Sequence, residues 1–395
     1  MKTKLVALIL FVTTAIAISL APSIQQVQAI TGGNTTTPPQ VHQIEVVFIL
    51  DTTSSMSGLI QAAKEKIWSI ATTMASAQQA PDIRMGLVAF RDRGDTYVTR
   101  VLDLSQDLDS MYASLMDFKA RGGGDGPESV NQALYDAINR ISWSEDDSVY
   151  KVVFLIGDAP PHMDYNNDVK FPVTLEMAKR KGIIVNTIQS GQNHSTAPVW
   201  KHIAQLGYGE YFQVENSGNA IAVVTPYDKK LSELAASLED TRLYFGNKEE
   251  KAKQEKRNEA TRKLHDELSE AALARRATFN ATASGESNFL GEGELVDAIS
   301  SGRIELDDID KDDMPASLQA LAPAAQMEVI TNQARQRELI KHDIQKLSES
   351  RNAYILEQIG TRDDAKESLD EKIYSAVKKQ AKTKGLIYES EAARY

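Results

Sequence analysis

Residues 44–58 read IEVVFILDTTSSMSG. The first part of this stretch, Ile44–Leu50, is apolar except for Glu45 and is rich in β-branched residues. A short run of this kind predicts a strand that is buried on both faces, as in a parallel sheet. Apolar residues at helical spacing follow from Leu59 to Met74. A buried strand that leads directly into a helix is typical of an α/β protein.

The same alternation of strand and helix continues along the chain. Further strands are predicted at Arg84–Phe90, Tyr97–Leu102 (an edge strand), Val152–Ile156, Ile183–Ile188 and Glu210–Val214. The helices predicted among them are Leu108–Phe118, one that opens at Pro127 and Glu128, Thr174–Lys181, Trp200–Leu206 and Ala220–Leu238. The fold class is therefore α/β, with a doubly wound, mostly parallel sheet covered by helices on both faces.

Oxygen-bearing side chains follow two of these strands. Asp51, Thr53 and Ser55 form a D-x-T-x-S pattern after the first strand, and Asp158 follows the strand Val152–Ile156. Open parallel sheets bind ligands beyond the carboxyl ends of their strands, where the strand order reverses. These oxygens suit a hard cation, Mg²⁺ first, with Mn²⁺ or Ca²⁺ as alternatives. The other interpretation, that a serine of this run caps the next helix, does not account for both aspartates.

Three segments resemble the metal-site loops of von Willebrand factor type A domains: LDTTSSMSG (50–58), RGGGDGPESVNQAL (121–134) and LIGDAPPH (155–162). The resemblance to the domain covers about residues 43–240. The combination of the three segments also resembles a group of secreted bacterial proteins of this family. It implies a metal-ion-dependent adhesion site that binds acidic groups of partner proteins. By the same resemblance, Asp51, Thr53 and Ser55 belong to the first loop and Asp158 belongs to the third.

The second of these loops departs from the family pattern. Where the family commonly has a metal-binding threonine after glycines, this chain has Gly122-Gly123-Gly124-Asp125. Asp125 is therefore the candidate replacement ligand, and the alternative is that it caps the helix at Pro127. As a ligand, Asp125 would bring a third carboxylate to the cation and weaken its attraction for a partner's acid.

Two further sequence features each allow a functional and a structural interpretation. His162 follows Asp158 by four residues and is a candidate to contact a partner or the metal at the rim of the site. A hydrogen-bonding role at a loop turn is the alternative for His162. Arg93-Gly94-Asp95 spells an integrin-recognition tripeptide, but we expect only a turn because glycine and aspartate are ordinary turn residues between strands.

The composition excludes several classes of site. The chain has 395 residues, no cysteine and a formal net charge of −11. Disulfides, thiolate metal ligands and cysteine nucleophiles are therefore excluded. Basic residues are interleaved with acidic ones, so no nucleic-acid-binding face is expected. Since the hydrolase-elbow, zinc-protease and P-loop motifs are all missing from the sequence, the chain is predicted not to be an enzyme.

The N-terminus has the pattern of a secretory signal. Lys2 and Lys4 precede the uncharged apolar run Leu5–Ala21, and Val27-Gln28-Ala29 fits a cleavage site. Residues 1–29 are therefore predicted to be a signal peptide and residues 30–42 a linker. An uncleaved membrane anchor is the alternative. We expect the protein to be exported to the periplasm, the cell envelope or the medium.

A mainly helical region, residues 247–395, is predicted to follow a domain of residues 43–240. Within it, residues 278–292 are expected to form a loop, and Gln326–Ile359 a long helix whose heptad pattern is interrupted by arginines. These helices would position or multimerise the domain. The leading hypothesis is an exported module that docks an acidic residue of a partner protein. The alternatives are an envelope scaffold stabilised by the metal and, less favoured, a metal-assisted hydrolase.

Overall fold

A computed structural model describes residues 42–124, 126–216, 223–359 and 368–390 of the chain. Its centre is a six-stranded sheet in the order β3-β2-β1-β4-β5-β6. The strands are β1 (Gln43–Asp51), β2 (Asp82–Phe90), β3 (Thr99–Ser105), β4 (Tyr150–Gly157), β5 (Ile183–Ser190) and β6 (Tyr208–Val214). All neighbouring strands are parallel except β2 and β3. The predicted doubly wound, mostly parallel sheet is confirmed.

Helices cover both faces of this sheet. The first five are α1 (Ser57–Met74), α2 (Leu108–Met116), α3 (Val130–Asn139), α4 (Phe171–Arg180) and α5 (Thr196–Leu206). Alternate side chains of a strand point to opposite faces. Accordingly, Val46, Phe48 and Leu50 pack with α1 and α2, whereas Val47 and Ile49 pack with α3, α4 and α5. The apolar run of β1 is buried on both faces because each face has its own layer of helices.

Seven helices follow the last strand in the described part of the chain: α6 (Asp228–Glu239), α7 (Lys248–Glu267), α8 (Glu270–Asn280), α9 (Glu286–Leu290), α10 (Leu295–Ser300), α11 (Pro323–Ile359) and α12 (Leu369–Ala381). An apolar cluster joins α6, α8, α9 and α11, and a second one joins α10 to α11. The predicted domain boundary falls in the connection between α6 and α7. None of the helices within the described ranges is both long and apolar enough to cross a membrane.

Several element boundaries differ from the sequence-based predictions. The edge strand β3 lies slightly later than expected, and α6 covers only the end of the helix predicted at 220–238, of which residues 220–222 lie outside the described residues. The helix expected at Pro127 begins at Val130, because the backbone of Glu128 bridges to Pro161 instead. The loop expected at 278–292 was wrong in part, since α9 forms there and buries Phe289.

The last helix, α12, packs against the sheet and α1. Its apolar side chains belong to the same cluster as Phe48. Gln380 on α12 accepts a hydrogen bond from Tyr150 Oη at 2.8 Å and donates one to Asn186 Oδ1 at 2.7 Å. The end of the described chain therefore completes the core beneath β4 and β5, and the described residues form one compact unit.

A buried ion pair joins α2 to the helical region. Arg276 on α8 donates to Asp109 on α2 through Nε at 2.7 Å and through Nη2, and it also pairs with Glu239. Thr261 Oγ1 donates to Asp109 as well, at 3.0 Å. Burial alone would raise the pKa of Asp109, but Arg276 lowers it to about 2. The pair therefore stabilises the folded state as long as Asp109 is ionised.

We expect acid to remove this stabilisation. Because the folded-state pKa of Asp109 is about 2 and the ordinary value is 3.8, the unfolded chain binds the proton first as the pH falls. The free energy of unfolding should therefore decrease between about pH 4 and about pH 2. The Asp109→Asn variant should not show this decrease. Its free energy of unfolding at neutral pH should be lower than that of the wild type by about 3–5 kcal/mol, because Arg276 stays buried without its anion. Urea unfolding followed by circular dichroism across this pH range measures both effects.

The exposed pair of Glu255 and Arg262 provides the control. Solvent screens such pairs, so Glu255→Gln should change the free energy of unfolding by less than about 1 kcal/mol. Similar losses in Asp109→Asn and Glu255→Gln at neutral pH would contradict the stabilising role of the buried pair.

Candidate metal centre

The turn after β1 gathers three oxygen-bearing side chains. Asp51 is 1% exposed, and its Oδ1 accepts hydrogen bonds from Thr53 N at 2.8 Å and Thr53 Oγ1 at 2.7 Å. Thr53 Oγ1 lies 3.3 Å from Ser55 Oγ. The chain then makes a 3₁₀ turn at Ser54–Met56 before α1 begins. The structure thus brings Asp51, Thr53 and Ser55 together on one turn.

Side-chain capping does not explain this turn. Neither Thr53, at the start of the 3₁₀ turn, nor Met56, at the start of α1, makes a side-chain capping hydrogen bond. Backbone bonds close the turn instead, from Met56 N to Thr53 O at 3.1 Å and from Ser54 N to Gly122 O at 3.2 Å. The Thr53 hydroxyl is directed to Asp51 rather than to the backbone of the helix.

Asp158 reaches the same edge of the sheet from β4. Leu50 pairs with Ile156 in parallel register, so the residues that follow the two strands emerge side by side. Gly157 lies against Asp51, since a Cβ at Gly157 would be 3.1 Å from Asp51 Cβ and 3.2 Å from Asp51 Oδ2. Glycine at position 157 therefore leaves room for the Asp51 carboxylate beside the loop that carries Asp158.

The Asp51 carboxylate is in an unfavourable environment for a charge. Burial raises its pKa, the hydrogen bonds from Thr53 lower it, and the charge of Asp158 raises it again, to about 7 in all. The second oxygen, Asp51 Oδ2, is buried and has no hydrogen-bond partner among the described residues. Such an oxygen lowers the stability of the fold unless a ligand or a proton meets it.

Glu128 is a further buried carboxylate at this edge, and sequence reasoning missed its role. It is 4% exposed, and its Oε2 is another buried oxygen without a hydrogen-bond partner in the described ranges. Burial, followed by the charges of Asp51 and other nearby aspartates, raises the pKa of Glu128 to about 9. Its backbone bonds to Pro160 and His162 hold it in place. No local sequence pattern signals this position, because those bonds connect two distant loops.

Ser55, Glu128 and Asp158 line one open cavity of about 330 Å³. Much of the remaining wall is polar and comes from residues 190–193, at the end of β5, and from Asn216, after β6. The cavity lies beyond the carboxyl ends of the strands, where β1 and β4 form the switch in strand order. Ligands of doubly wound sheets bind at such a point.

The second loop approaches the turn through glycines. Gly122 and Gly123 have φ angles of +78° and +81°, in the left-handed region that favours glycine. Gly123 N donates to Asp95 Oδ2 at 3.0 Å, and a Cβ on Gly122 would collide with the same carboxylate. The tripeptide Arg93-Gly94-Asp95 is thus part of a turn that holds the glycine loop. Asp125, the candidate ligand of this loop, lies outside the described residues.

His162 is not among the residues that line this cavity. It is 5% exposed, and its ring stacks on Tyr165 with the centroids 4.0 Å apart. Its Nδ1 is 2.8 Å from Asp164 Oδ1, and its Nε2 is 3.4 Å from Asp92 Oδ2. The structure therefore shows a histidine in contact with carboxylates and an aromatic ring, next to the loop of Asp158.

The donor set fits a hard divalent cation. Within the described ranges, no three His, Cys, Asp or Glu side chains are arranged to hold a metal ion together. The set consists instead of the carboxylates of Asp51 and Asp158 and the hydroxyls of Thr53 and Ser55. Oxygen ligands alone suit Mg²⁺, Mn²⁺ or Ca²⁺. The buried Asp51 Oδ2 supplies a donor that no protein group in the described residues uses.

Comparison with known proteins identifies the domain. Residues 45–224 match a family model described as the von Willebrand factor A domain. The alpha-protein kinase vwkA of Dictyostelium discoideum is 28% identical over 121 residues, which are 30% of this chain and 19% of that protein. This chain therefore spans only about a fifth of that relative's length.

Two solved structures are also similar to this chain. The crystal structure of the SpRpn10 VWA domain has a TM-score of 0.35 and 14% identity, and the match covers 47% of this chain and 100% of that one. The proximal thread matrix protein 1 of the mussel byssus has a TM-score of 0.34 and 14% identity, over 44% of this chain and 42% of that one.

The family match and the observed fold agree. The matched residues include β1 from Glu45 onward, the other five strands, the turn after β1 and the loop after β4. They also include the three loops whose sequences resemble those of the family. Residues 45–224 of this chain form a von Willebrand factor A domain.

Proposed function

We propose that this protein is an exported, metal-dependent protein-binding module. Asp51, Thr53, Ser55 and Asp158 hold Mg²⁺, with Mn²⁺ or Ca²⁺ as alternatives. The main support is Asp51 Oδ2, a buried carboxylate oxygen for which the described residues provide no hydrogen-bond partner, on a turn that also carries two hydroxyls. When bound, the cation supplies the positive charge on which an acidic residue of a partner protein docks.

Positive charge near the site supports an acidic partner. A cavity of about 180 Å³ is lined by four basic residues, Arg91, Arg100, Lys119 and Arg121, and by one acidic residue, Asp117. It adjoins the turn after β1, because Arg121 N donates to Thr52 O at 3.1 Å. The whole chain, by contrast, has a net charge of −11. A local cationic surface beside the site favours association with an acidic segment.

The remaining parts of the proposal have separate support. Export is inferred from the signal-like sequence of residues 1–29, which lie outside the described residues. A non-catalytic role is favoured because His162, the base that a hydrolase would use, contacts Asp92 and Tyr165 instead of lining the cavity. The kinase activity in the name of vwkA belongs to a much longer protein and is not transferred to this chain.

Assembly through the long helix is a second candidate role, in which the metal mainly stabilises the domain. The observation that favours it is the exposure of three large apolar side chains on the 37-residue helix α11, namely Met327, Leu339 and Leu356. Light scattering distinguishes the two roles. An oligomer that persists in EDTA supports the scaffold, whereas a monomer in both Mg²⁺ and EDTA removes the support for it.

Affinity capture tests partner binding directly. Immobilised wild-type protein is exposed to envelope extract in Mg²⁺ and again in EDTA, with Asp51→Ala as a second bait. We expect a partner that is retained only by the wild type in Mg²⁺. A partner that is retained equally in all three conditions would contradict metal-dependent docking.

Divalent cations should stabilise the fold. Asp51 and Asp158 bring like charges to one edge of the sheet. A cation that binds there only in the folded chain raises the free energy of unfolding by mass action. The expected gain is about 2.7 kcal/mol at a hundredfold excess over the dissociation constant. Thermal melts in excess Mg²⁺ and in EDTA measure it, and identical midpoints without tightly retained metal would count against the site.

Asp51→Ala should abolish this cation-dependent stabilisation while the sheet stays folded. Asp51 is the last residue of β1, beyond the core positions of Val46, Phe48 and Leu50. Asp103→Ala is a matched control, because Asp103 lies in the same sheet but bonds to Ser142, away from the site. Circular dichroism checks the fold, and melts with and without Mg²⁺ check the site. If Asp51→Ala loses the native spectrum, Asp51 is a structural residue instead.

Asp125 remains a proposed ligand on the basis of its sequence position. Asp125→Thr would restore the family's hydroxyl, so the affinity for Ca²⁺ should fall relative to Mg²⁺, which accepts fewer charged oxygens. Calorimetric titration of the wild type and of Asp125→Thr with Ca²⁺ and with Mg²⁺ gives the ratio of the two affinities for each protein. An unchanged ratio would favour the helix-capping alternative for Asp125.

A further inference from the structure

Glu128 is a carboxylate that its neighbours among the described residues do not neutralise. Its side chain is buried, and Oε2 has no hydrogen-bond partner in the described part of the chain. The four charged groups that act on it most strongly are all acidic: Asp51, Asp92, Asp158 and Asp95. A buried carboxylate among other carboxylates destabilises the fold unless a positive ion is present.

The backbone fixes Glu128 in this position. Glu128 N donates to Pro160 O at 2.9 Å, and Glu128 O accepts from His162 N at 3.0 Å. These bonds tie the second loop of the site to the third loop. Since Asp158 lies just before Pro160, the same short segment that carries Asp158 also sets the position of Glu128.

Gly123 leaves the space that the Glu128 side chain needs. A Cβ at Gly123 would lie 3.3 Å from Glu128 Oε1 and 3.3 Å from Thr53 Cβ, which is closer than most side chains tolerate. The positive φ of Gly123 also requires glycine at this position. The glycine loop therefore lets the Glu128 carboxylate approach Thr53 and the cavity that Ser55 and Asp158 line.

We infer that Glu128 is an additional residue of the cation site, where its carboxylate accepts hydrogen bonds from water molecules on the bound cation. The inference rests on the proposed metal site of Asp51, Thr53, Ser55 and Asp158. We place this contact through water rather than direct, with the direct ligands being those of the proposed site. Mg²⁺ commonly keeps several water ligands, and the cavity of about 330 Å³ has room for them.

Glu128 also affects what the site can bind. Its negative charge strengthens the attraction for a cation and opposes the carboxylate of a partner. Glu128 therefore adds cation affinity from the second loop, in which Gly122, Gly123 and Gly124 have no side chains that could bind a cation. The same charge reduces the strength with which an acidic partner docks.

Glu128→Gln tests the inference because it removes the charge and keeps the shape. Residues that orient a metal's ligands typically contribute about 10- to 100-fold to affinity, so Mg²⁺ and Mn²⁺ should bind more weakly to this variant by that factor. Glu128→Asp should recover part of the affinity. Titration calorimetry with the metal chlorides on the full chain gives the constants, and thermal melts in EDTA give the metal-free stability.

Asp136→Asn is the matched control for a structural effect. Asp136 is also a buried acid, on α3, but it has partners: Thr99 Oγ1 at 2.6 Å, Gln132 Nε2 at 2.9 Å and Arg140 Nη1 at 3.1 Å. Asp136→Asn should therefore lower the melting temperature in EDTA and leave metal affinity unchanged. Glu128→Gln should instead weaken metal binding and leave the melting temperature in EDTA no lower than that of the wild type, because Oε2 has no hydrogen-bond partner among the described residues to lose.

The outcomes separate this inference from the proposed function. If the wild type binds neither Mg²⁺ nor Mn²⁺, the metal site and the role of Glu128 both fail. If the wild type binds and Glu128→Gln binds equally well, only the role of Glu128 is overturned. If Glu128→Gln melts as early in EDTA as Asp136→Asn, its weaker metal binding reflects a damaged fold, and the inference is likewise wrong.

Discussion

The parallel pairing of β1 with β4 is the constraint on which the site depends. The register that sets Leu50 beside Ile156 places Asp51 and Asp158 at the same edge of the sheet. Both strands are apolar and covered by helices on both faces, so a shift in register would disrupt two cores at once. The free energy of packing in the sheet thus holds two carboxylates near each other in spite of their repulsion.

The helical region stabilises the sheet that carries the site. Asp109 on α2 pairs with Arg276 on α8, and Gln380 on α12 bonds to Tyr150 and Asn186 of the sheet. These contacts link segments that lie far apart in the sequence. Loss of any one would therefore affect the core that supports the metal-site loops, although none of these residues lines the cavity of Glu128.

Local patterns predicted the parts of the structure that depend on local forces. The apolar run Ile44–Leu50 identified β1, and the spacing of Asp51, Thr53 and Ser55 is short enough for one turn to bring them together. Glu128 could not be placed in this way, because its position depends on backbone bonds to a loop some 30 residues further along the chain. The place of α12 beneath the sheet likewise depends on packing between distant segments, which periodicity does not reveal.

Among the described residues, several buried acidic residues elsewhere in the molecule form salt bridges, which those of the candidate site do not. Asp109, Asp228, Glu294 and Asp370 are each buried, and each pairs with a lysine or arginine. Asp51 and Glu128 are equally buried, yet no salt bridge reaches them within the described ranges. Because uncompensated buried charges reduce stability, a fold retains them where something other than stability requires them. Their position at the strand switch, beside hydroxyls and an open cavity, makes a bound cation the simplest source of the missing positive charge.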